Sequence, residues 1–145
     1  MRKRICLSTL ALSLLISLAT VSPAYAKSVD GARAHVPFDF YVGERLAPAG
    51  EYGVRSLTGD DTTLRICNGR QGNTVLTNSA SERGVGRSRL VFHKYGDQYF
   101  LAAVWGADNM GRRLRESKRE RGLRKELTTA RGHASEMEVV TIDAR

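Results

Sequence analysis

The side chains best suited to chemistry in this chain are basic, and they crowd into one segment. Residues 112–131 hold nine Lys or Arg and three Glu, a local net charge of +6. Guanidinium and ammonium groups attract phosphate, sulfate and carboxylate. The sequence therefore predicts an anion-binding surface, with most of the attraction expected from Arg115, Lys118, Arg119 and Arg121. The full candidate set is Arg112, Arg113, Arg115, Lys118, Arg119, Arg121 and Arg124.

The same charge run has a second interpretation as a solvated helix face with internal ion pairs. Arg119 can reach Glu116 at i,i+3, and Glu120 can reach Arg124 at i,i+4. No aromatic residue interleaves the arginines, so stacking on nucleic-acid bases is not predicted.

Other reactive residues are sparse, and no catalytic residue, metal ligand or cofactor is predicted from them. The histidines His35, His93 and His133 lie far apart and show none of the spacings that hold zinc. His93 is expected to be a core or rim histidine. Asp39 and Glu44 are the candidate pair of acids for glycoside hydrolysis, which requires closeness in space. Nucleophile motifs and dinucleotide fingerprints are missing.

The N-terminus has the order of a secretory signal peptide. Three basic residues at 2–4 precede an apolar stretch at 5–21, and residues 23–26 read Pro-Ala-Tyr-Ala. This order predicts a signal peptide over residues 1–26, cleaved between Ala26 and Lys27. An uncleaved membrane anchor is the alternative, although the stretch is shorter than the roughly 20 residues that a span needs.

Residues 27–145 then form a single exported domain, periplasmic or extracellular, with no membrane span after cleavage. Cys67 is its only cysteine, so an intramolecular disulfide is excluded. The anions within reach would be an envelope polymer or an acidic protein, and not intracellular nucleic acid.

The clearest local structure is a β-hairpin that turns at Gly96-Asp97. Tyr95 should then lie opposite Gln98, and Phe92 opposite Leu101. Both faces are mostly apolar, which predicts a central strand pair covered on both sides. One face is expected to carry Leu90, Phe92, Lys94, Tyr99, Leu101, Ala103 and Trp105, and the other Val91, His93, Tyr95, Gln98, Phe100, Ala102 and Val104.

One helix is predicted, in the C-terminal region. Ser117 and Glu120 form a capping box, Leu123, Leu127 and Ala130 make an apolar stripe, and Gly132 suits the residue after its end. Short strands with tight turns precede it. The fold prediction is therefore mainly β: a small antiparallel meander or half-open barrel of about seven strands with this one α-helix.

Several segments combine turn residues with apolar strand faces: residues 36–40 (VPFDF), Leu46, 48–52 (PAGEY), 90–101 (LVFHKYGDQYFL) and 111–121. These segments resemble a family of small exported β-rich proteins of soil bacteria that has no assigned activity. The resemblance implies export and a β-rich domain, and it implies nothing about catalysis.

Three functions fit these observations. A non-enzymatic binding or envelope-associated module would use the basic helix for anionic partners. A carrier of small apolar ligands would need a barrel interior, lined by residues such as Phe38, Phe40 and Phe92, with a void of about 300 Å³. A hydrolase with an unrecognised site would need a cleft where His93 or Asp39 lies beside a second ionisable group.

Overall fold

The computed structural model describes residues 29–84, 86–131 and 137–145, and for residues 130 and 131 the backbone alone. These residues form ten strands and one helix. The elements are β1 (Arg33–Val36), β2 (Phe40–Val42), β3 (Arg45–Ala47), β4 (Gly50–Ser56), β5 (Thr63–Asn68), β6 (Gln71–Ser81), β7 (Arg89–Tyr95), β8 (Gln98–Trp105), β9 (Met110–Leu114), α1 (Lys118–Arg131) and β10 (Glu138–Asp143). The predicted signal peptide and its cleavage site lie outside the described residues.

The prediction of a mainly β fold with one helix near the C-terminus is confirmed. The strand order is β1-β4-β5-β6-β9-β8-β2-β3, and β7 pairs with both β8 and β10. Two details differ from the expectation. There are ten strands where about seven were expected, because the chain from 33 to 42 is divided between β1 and β2, and because the short strands β3 and β9 show no clear alternation. The sheet is also mixed, since β2 runs parallel to β8.

The first strand meets the residues after the last strand without a continuous ladder. Arg33 N–H donates to the carbonyl of Arg145 at 2.8 Å, and Arg145 N–H donates back at 2.9 Å. This single pair of hydrogen bonds links β1 to the residues that follow β10. The sheet therefore curls round one core while remaining unclosed.

Aromatic rings fill the centre of that core. Phe40 and Phe92 are fully buried, with ring centres 5.2 Å apart in an edge-to-face arrangement. Phe38 packs against Phe92 at 5.3 Å, and Phe40 packs against Tyr52 at 4.9 Å. The three phenylalanines suggested as a cavity lining thus pack on one another.

The hairpin forms as predicted near its turn, and a bulge then changes its faces. Tyr95 pairs with Gln98 and Phe92 with Leu101, but the register shifts between Val91 and Phe92, so that Val91 pairs with Ala103. The extra residue reverses the faces of the rest of β8. The expected faces were wrong for Ala103, Val104 and Trp105: Val104 lies in the main core, whereas Ala103 and Trp105 lie on the opposite face.

The helix begins at Lys118, directly after the predicted N-cap residue Ser117. Glu120 N–H donates to Ser117 Oγ at 3.0 Å, which satisfies one of the free amides of the first turn. Leu123 and Leu127 of the stripe are half-buried. Gly132 and the side chain of Ala130 lie outside the described residues. No helix of the described residues is long and apolar enough to span a membrane.

Candidate anion-binding surface and the His93 cluster

Two acids that the sequence offered for hydrolysis have structural roles here. Glu44 accepts the backbone N–H of Lys118 at 2.6 Å and that of Arg119 at 3.4 Å, so its carboxylate lies at the positive end of α1. Asp39 accepts the N–H of Ala49 at 2.8 Å and holds the connection into β4. Both carboxylates are therefore engaged with backbone amides.

The seven basic candidates do not lie on one helix. Arg112 and Arg113 belong to β9, Arg115 lies between β9 and α1, and only the other four lie on α1. Arg113 pairs with Ala103, which shares a sheet face with His93 and Phe100. Because His93 hydrogen-bonds to Glu120 of α1, this is the face that carries the helix.

Three of the seven have carboxylate partners, but not those expected from helical spacing. Glu116 lies 2.9 Å from Nε of Arg124 and 3.4 Å from Nε of Arg121. The hydrogen bond from Arg124 is the main cause that holds the pKa of Glu116 below its ordinary value. Arg112 lies 4.0 Å from Asp61. The proposed pairs Glu116–Arg119 and Glu120–Arg124 were wrong: Glu116 pairs with Arg121 and Arg124, and the Glu120 carboxylate hydrogen-bonds to His93.

Arg119 is a packing residue. Its guanidinium carbon lies 4.5 Å from the centre of the Tyr41 ring, and its Nε donates to Gln98 Oε1 at 3.3 Å. A guanidinium stacked on an aromatic face adds about 0.5–1 kcal/mol at an exposed site. Together with Glu44, this contact fixes the start of α1 against β2 and β8.

The remaining three candidates are Arg113, Arg115 and Lys118. Their side chains are exposed, and no carboxylate of the described residues lies within 4.0 Å of them. Lys118 begins α1, Arg115 lies just before its cap, and Arg113 lies on the sheet face that carries the helix, so their positive charges remain available to an outside anion.

A second feature of this face is a charged depression of about 300 Å³ between α1 and the sheet. His93 Nδ1 lies 2.9 Å from Glu120 Oε1; the Glu120 side chain is 7% exposed and that of His93 33%. Tyr95, Glu116 and Arg124 also line the depression. Sequence reasoning missed the pairing of His93 with Glu120, because the residues are 27 positions apart and lie on different elements.

Tyr95 is the most perturbed group of this cluster. Burial, with added repulsion from the charges of Glu120 and Glu116, raises the pKa of Tyr95 to about 12. The folded state therefore favours the neutral phenol over the phenolate.

This shift predicts an alkaline loss of stability. The pKa of an unfolded tyrosine is about 10, so the contribution of neutral Tyr95 is complete below pH 10 and disappears as the pH rises through about 12. Urea titrations between pH 9 and 12 should show a smaller fall in the free energy of unfolding for Tyr95→Phe than for the native chain. Equal falls would contradict the assignment.

The depression has part of what a hydrolase needs. A histidine oriented by a buried carboxylate could act as a base. However, its lining contains no Ser, Thr or Cys that could serve as a nucleophile. Among the described residues, no three His, Cys, Asp or Glu side chains group closely enough to hold a metal ion.

Comparison of the chain with protein-family models, curated proteins and solved structures finds no match.

Proposed function

We propose that this protein is an exported, non-enzymatic binding module that holds an anionic envelope polymer or an acidic protein on the basic surface around the start of α1. The observation that carries the proposal is the set of three exposed cations, Arg113, Arg115 and Lys118, that have no carboxylate partner among the described residues.

The contacts that hold the first turn of α1 support this function. Glu44, the Ser117 cap and the stacking of Arg119 on Tyr41 all hold the first turn of α1. A fixed backbone loses less conformational entropy on binding than a mobile one. Because exposed charges are screened beyond about 8–10 Å at physiological salt, binding depends on several short contacts acting together.

The alternatives have less support. A carrier needs an internal void, whereas Phe38, Phe40 and Phe92 pack on one another in the core. A hydrolase at the depression would have to use carboxylates that are already engaged, since Glu120 hydrogen-bonds to His93 and Glu116 pairs with Arg121 and Arg124. A binding role requires neither feature.

The test is a double charge reversal, Arg115→Glu with Lys118→Glu. We expect at least about tenfold weaker binding to an anionic matrix, corresponding to about 1.4 kcal/mol, with the free energy of unfolding changed by less than about 1 kcal/mol. Salt elution from the matrix measures binding, and a urea titration measures stability.

A charge-matched control is available in the loop between β6 and β7. Arg83→Glu with Arg87→Glu changes the net charge by the same amount at two exposed sites. Binding that falls equally in both double variants would show that overall charge acts, and not the surface around α1. Unchanged binding in the Arg115 and Lys118 variant would refute the proposal.

A further inference from the structure

A second and larger groove lies on another part of the sheet. It has a volume of about 1080 Å³ and runs over the face of β1, β4 and β5 that points away from the core. On these strands Tyr52, Val54 and Ile66 point inward and are buried, so the alternate residues face the groove. None of the candidates chosen from the sequence lies here.

The floor of the groove is made of unusually small side chains. Gly53 pairs with Arg33 on one side and Cys67 on the other, whereas Gly72, the next residue of this row on β6, is covered by the Arg65 side chain. A Cβ added at Gly53 would meet no atom within 4 Å. Glycine inside a strand weakens it and often marks a place where a ligand approaches the backbone.

Three arginines stand over this floor. Arg33 lies in the same row as Gly53, and Arg55 and Arg65 lie directly opposite each other in the next row. Like charges directly opposite on neighbouring strands are destabilising. Of the described residues, no carboxylate lies within 4.0 Å of any of the three guanidinium groups. An outside anion would relieve this repulsion.

The spacing of these arginines favours a linear ligand with repeated charges. Neighbouring strands are about 4.8 Å apart, and residues two positions apart on a strand are about 6.8 Å apart. The three positions are therefore spread over two rows and three strands along the groove. A ligand with charges at several points along its length can pair with all three guanidinium groups at once.

We infer that this groove binds a linear polysaccharide that carries carboxylate groups, such as a polyuronate. Each guanidinium can form a bidentate pair with a carboxylate. The glycine and cysteine floor lets a flat sugar ring lie close to the backbone. The groove shares none of its lining residues with the surface around α1, so this is a distinct site beyond the proposed function.

Two acidic residues of the lining favour a polysaccharide over a more densely charged polymer. Asp30 and Glu51 border the same groove. Glu51 Oε1 lies 3.0 Å from His35 Nδ1, and Asp30 Oδ1 accepts the N–H of Ser56 at 2.7 Å. These carboxylates repel the closely spaced charges of polyphosphate more strongly than those of a polyuronate, which lie one sugar ring apart, and their oxygens can accept hydrogen bonds from sugar hydroxyls.

The experiment measures binding of polygalacturonate to the full protein by titration calorimetry, with fully methyl-esterified polygalacturonate as the uncharged match. We expect at least about tenfold weaker binding of the ester. Arg55→Gln with Arg65→Gln should cause a loss of the same order. Gly53→Leu should also abolish binding, because its side chain would occupy the open floor.

Matched controls separate these effects from general ones. Gly122→Leu adds the same side chain on α1, where a Cβ also meets nothing within 4 Å, and it should leave binding unchanged. Arg83→Gln with Arg87→Gln removes the same charge outside the groove and should change binding by less than about twofold. Should Gly53→Leu fail to fold, the Arg55 and Arg65 pair decides, since both side chains lie on the outer sheet face.

Several results would overturn the inference. Equal binding of the methyl ester would show that carboxylates are not recognised, and tighter binding of polyphosphate to the same residues would assign a different polymer. The groove variants could bind polyuronate normally while the double variant Arg115→Glu with Lys118→Glu loses binding. Polyuronate would then bind around α1, so the groove inference would fail and the proposed function would stand. The opposite pattern supports the groove and leaves the α1 surface without polyuronate binding.

Discussion

Phe100→Ala and Leu101→Ala are each expected to lower the free energy of unfolding by about 2–5 kcal/mol. The two residues are adjacent on β8 and point to opposite faces, yet they are only 2% and 3% exposed. Leu101 belongs to the main core. Phe100 lies on the other face, with its ring centre 5.1 Å from Tyr41 and 6.0 Å from Tyr95.

Urea unfolding of both variants measures the effect, and Leu76→Ala is the control. Leu76 lies on β6 and is 74% exposed, so its truncation should change stability by less than about 0.5 kcal/mol. A comparably small change at Phe100 would mean that the helix side of β8 is not packed. A small change at Leu101 would mean the same for the main core.

Two-sided burial of this hairpin could be predicted because it follows from composition along a short stretch of chain. The turn at Gly96 and Asp97 fixed the pairing of the nearest residues, and the apolar residues on both faces required cover. The bulge at Ala102, between the pairs Val91–Ala103 and Phe92–Leu101, has no comparable local signal in the sequence. It depends on how β8 meets β2, β7 and β9 together, and strict alternation therefore misassigned the faces of the last three residues of β8.

The basic segment shows a similar division between local and tertiary information. Its charge and its helix start at Ser117 were readable from the sequence, because composition and capping are local. Its ion pairs were not, since Glu116 reaches Arg121 and Arg124 from the residue before the cap. Glu44, which closes the helix start, is 74 residues away from Lys118 along the chain.

The arginine groove could not have been recognised from spacing. Arg33, Arg55 and Arg65 each occupy a polar position of an alternating strand, as solvent-facing residues commonly do. Only the register places Arg55 opposite Arg65 and brings Gly53 beside Cys67. Glycine in the middle of β4 was the one local signal that this face had a special use.

Glu120→Ala is expected to lower the free energy of unfolding by about 1.5–3 kcal/mol, the range for a hydrogen bond to a charged group. Glu120 is a buried acid of α1 whose carboxylate hydrogen-bonds to His93 of β7 at 2.9 Å. Its loss leaves the ring nitrogen of a half-buried histidine without its partner. This contact joins the helix to the sheet, so its removal loosens the face that carries Arg113, Arg115 and Lys118.

Glu120→Gln separates the hydrogen bond from the charge. The amide oxygen can still accept from His93, so the cost should fall below about 1 kcal/mol. The negative charge that helps to raise the pKa of Tyr95 is lost, so a phenolate absorbance titration should place the pKa of Tyr95 below the native value of about 12. Glu126→Ala, at an exposed position of the same helix, should change neither quantity by a measurable amount.

The combination of these readouts decides what anchors α1. If Glu120→Gln costs as much as Glu120→Ala, then the charge of Glu120 holds the helix, and the hydrogen-bond explanation is wrong. If neither variant loses stability while the pKa of Tyr95 still falls, the carboxylate lies where the structure places it but contributes nothing to docking. The helix start would then depend on Glu44, Ser117 and the stacking of Arg119 on Tyr41.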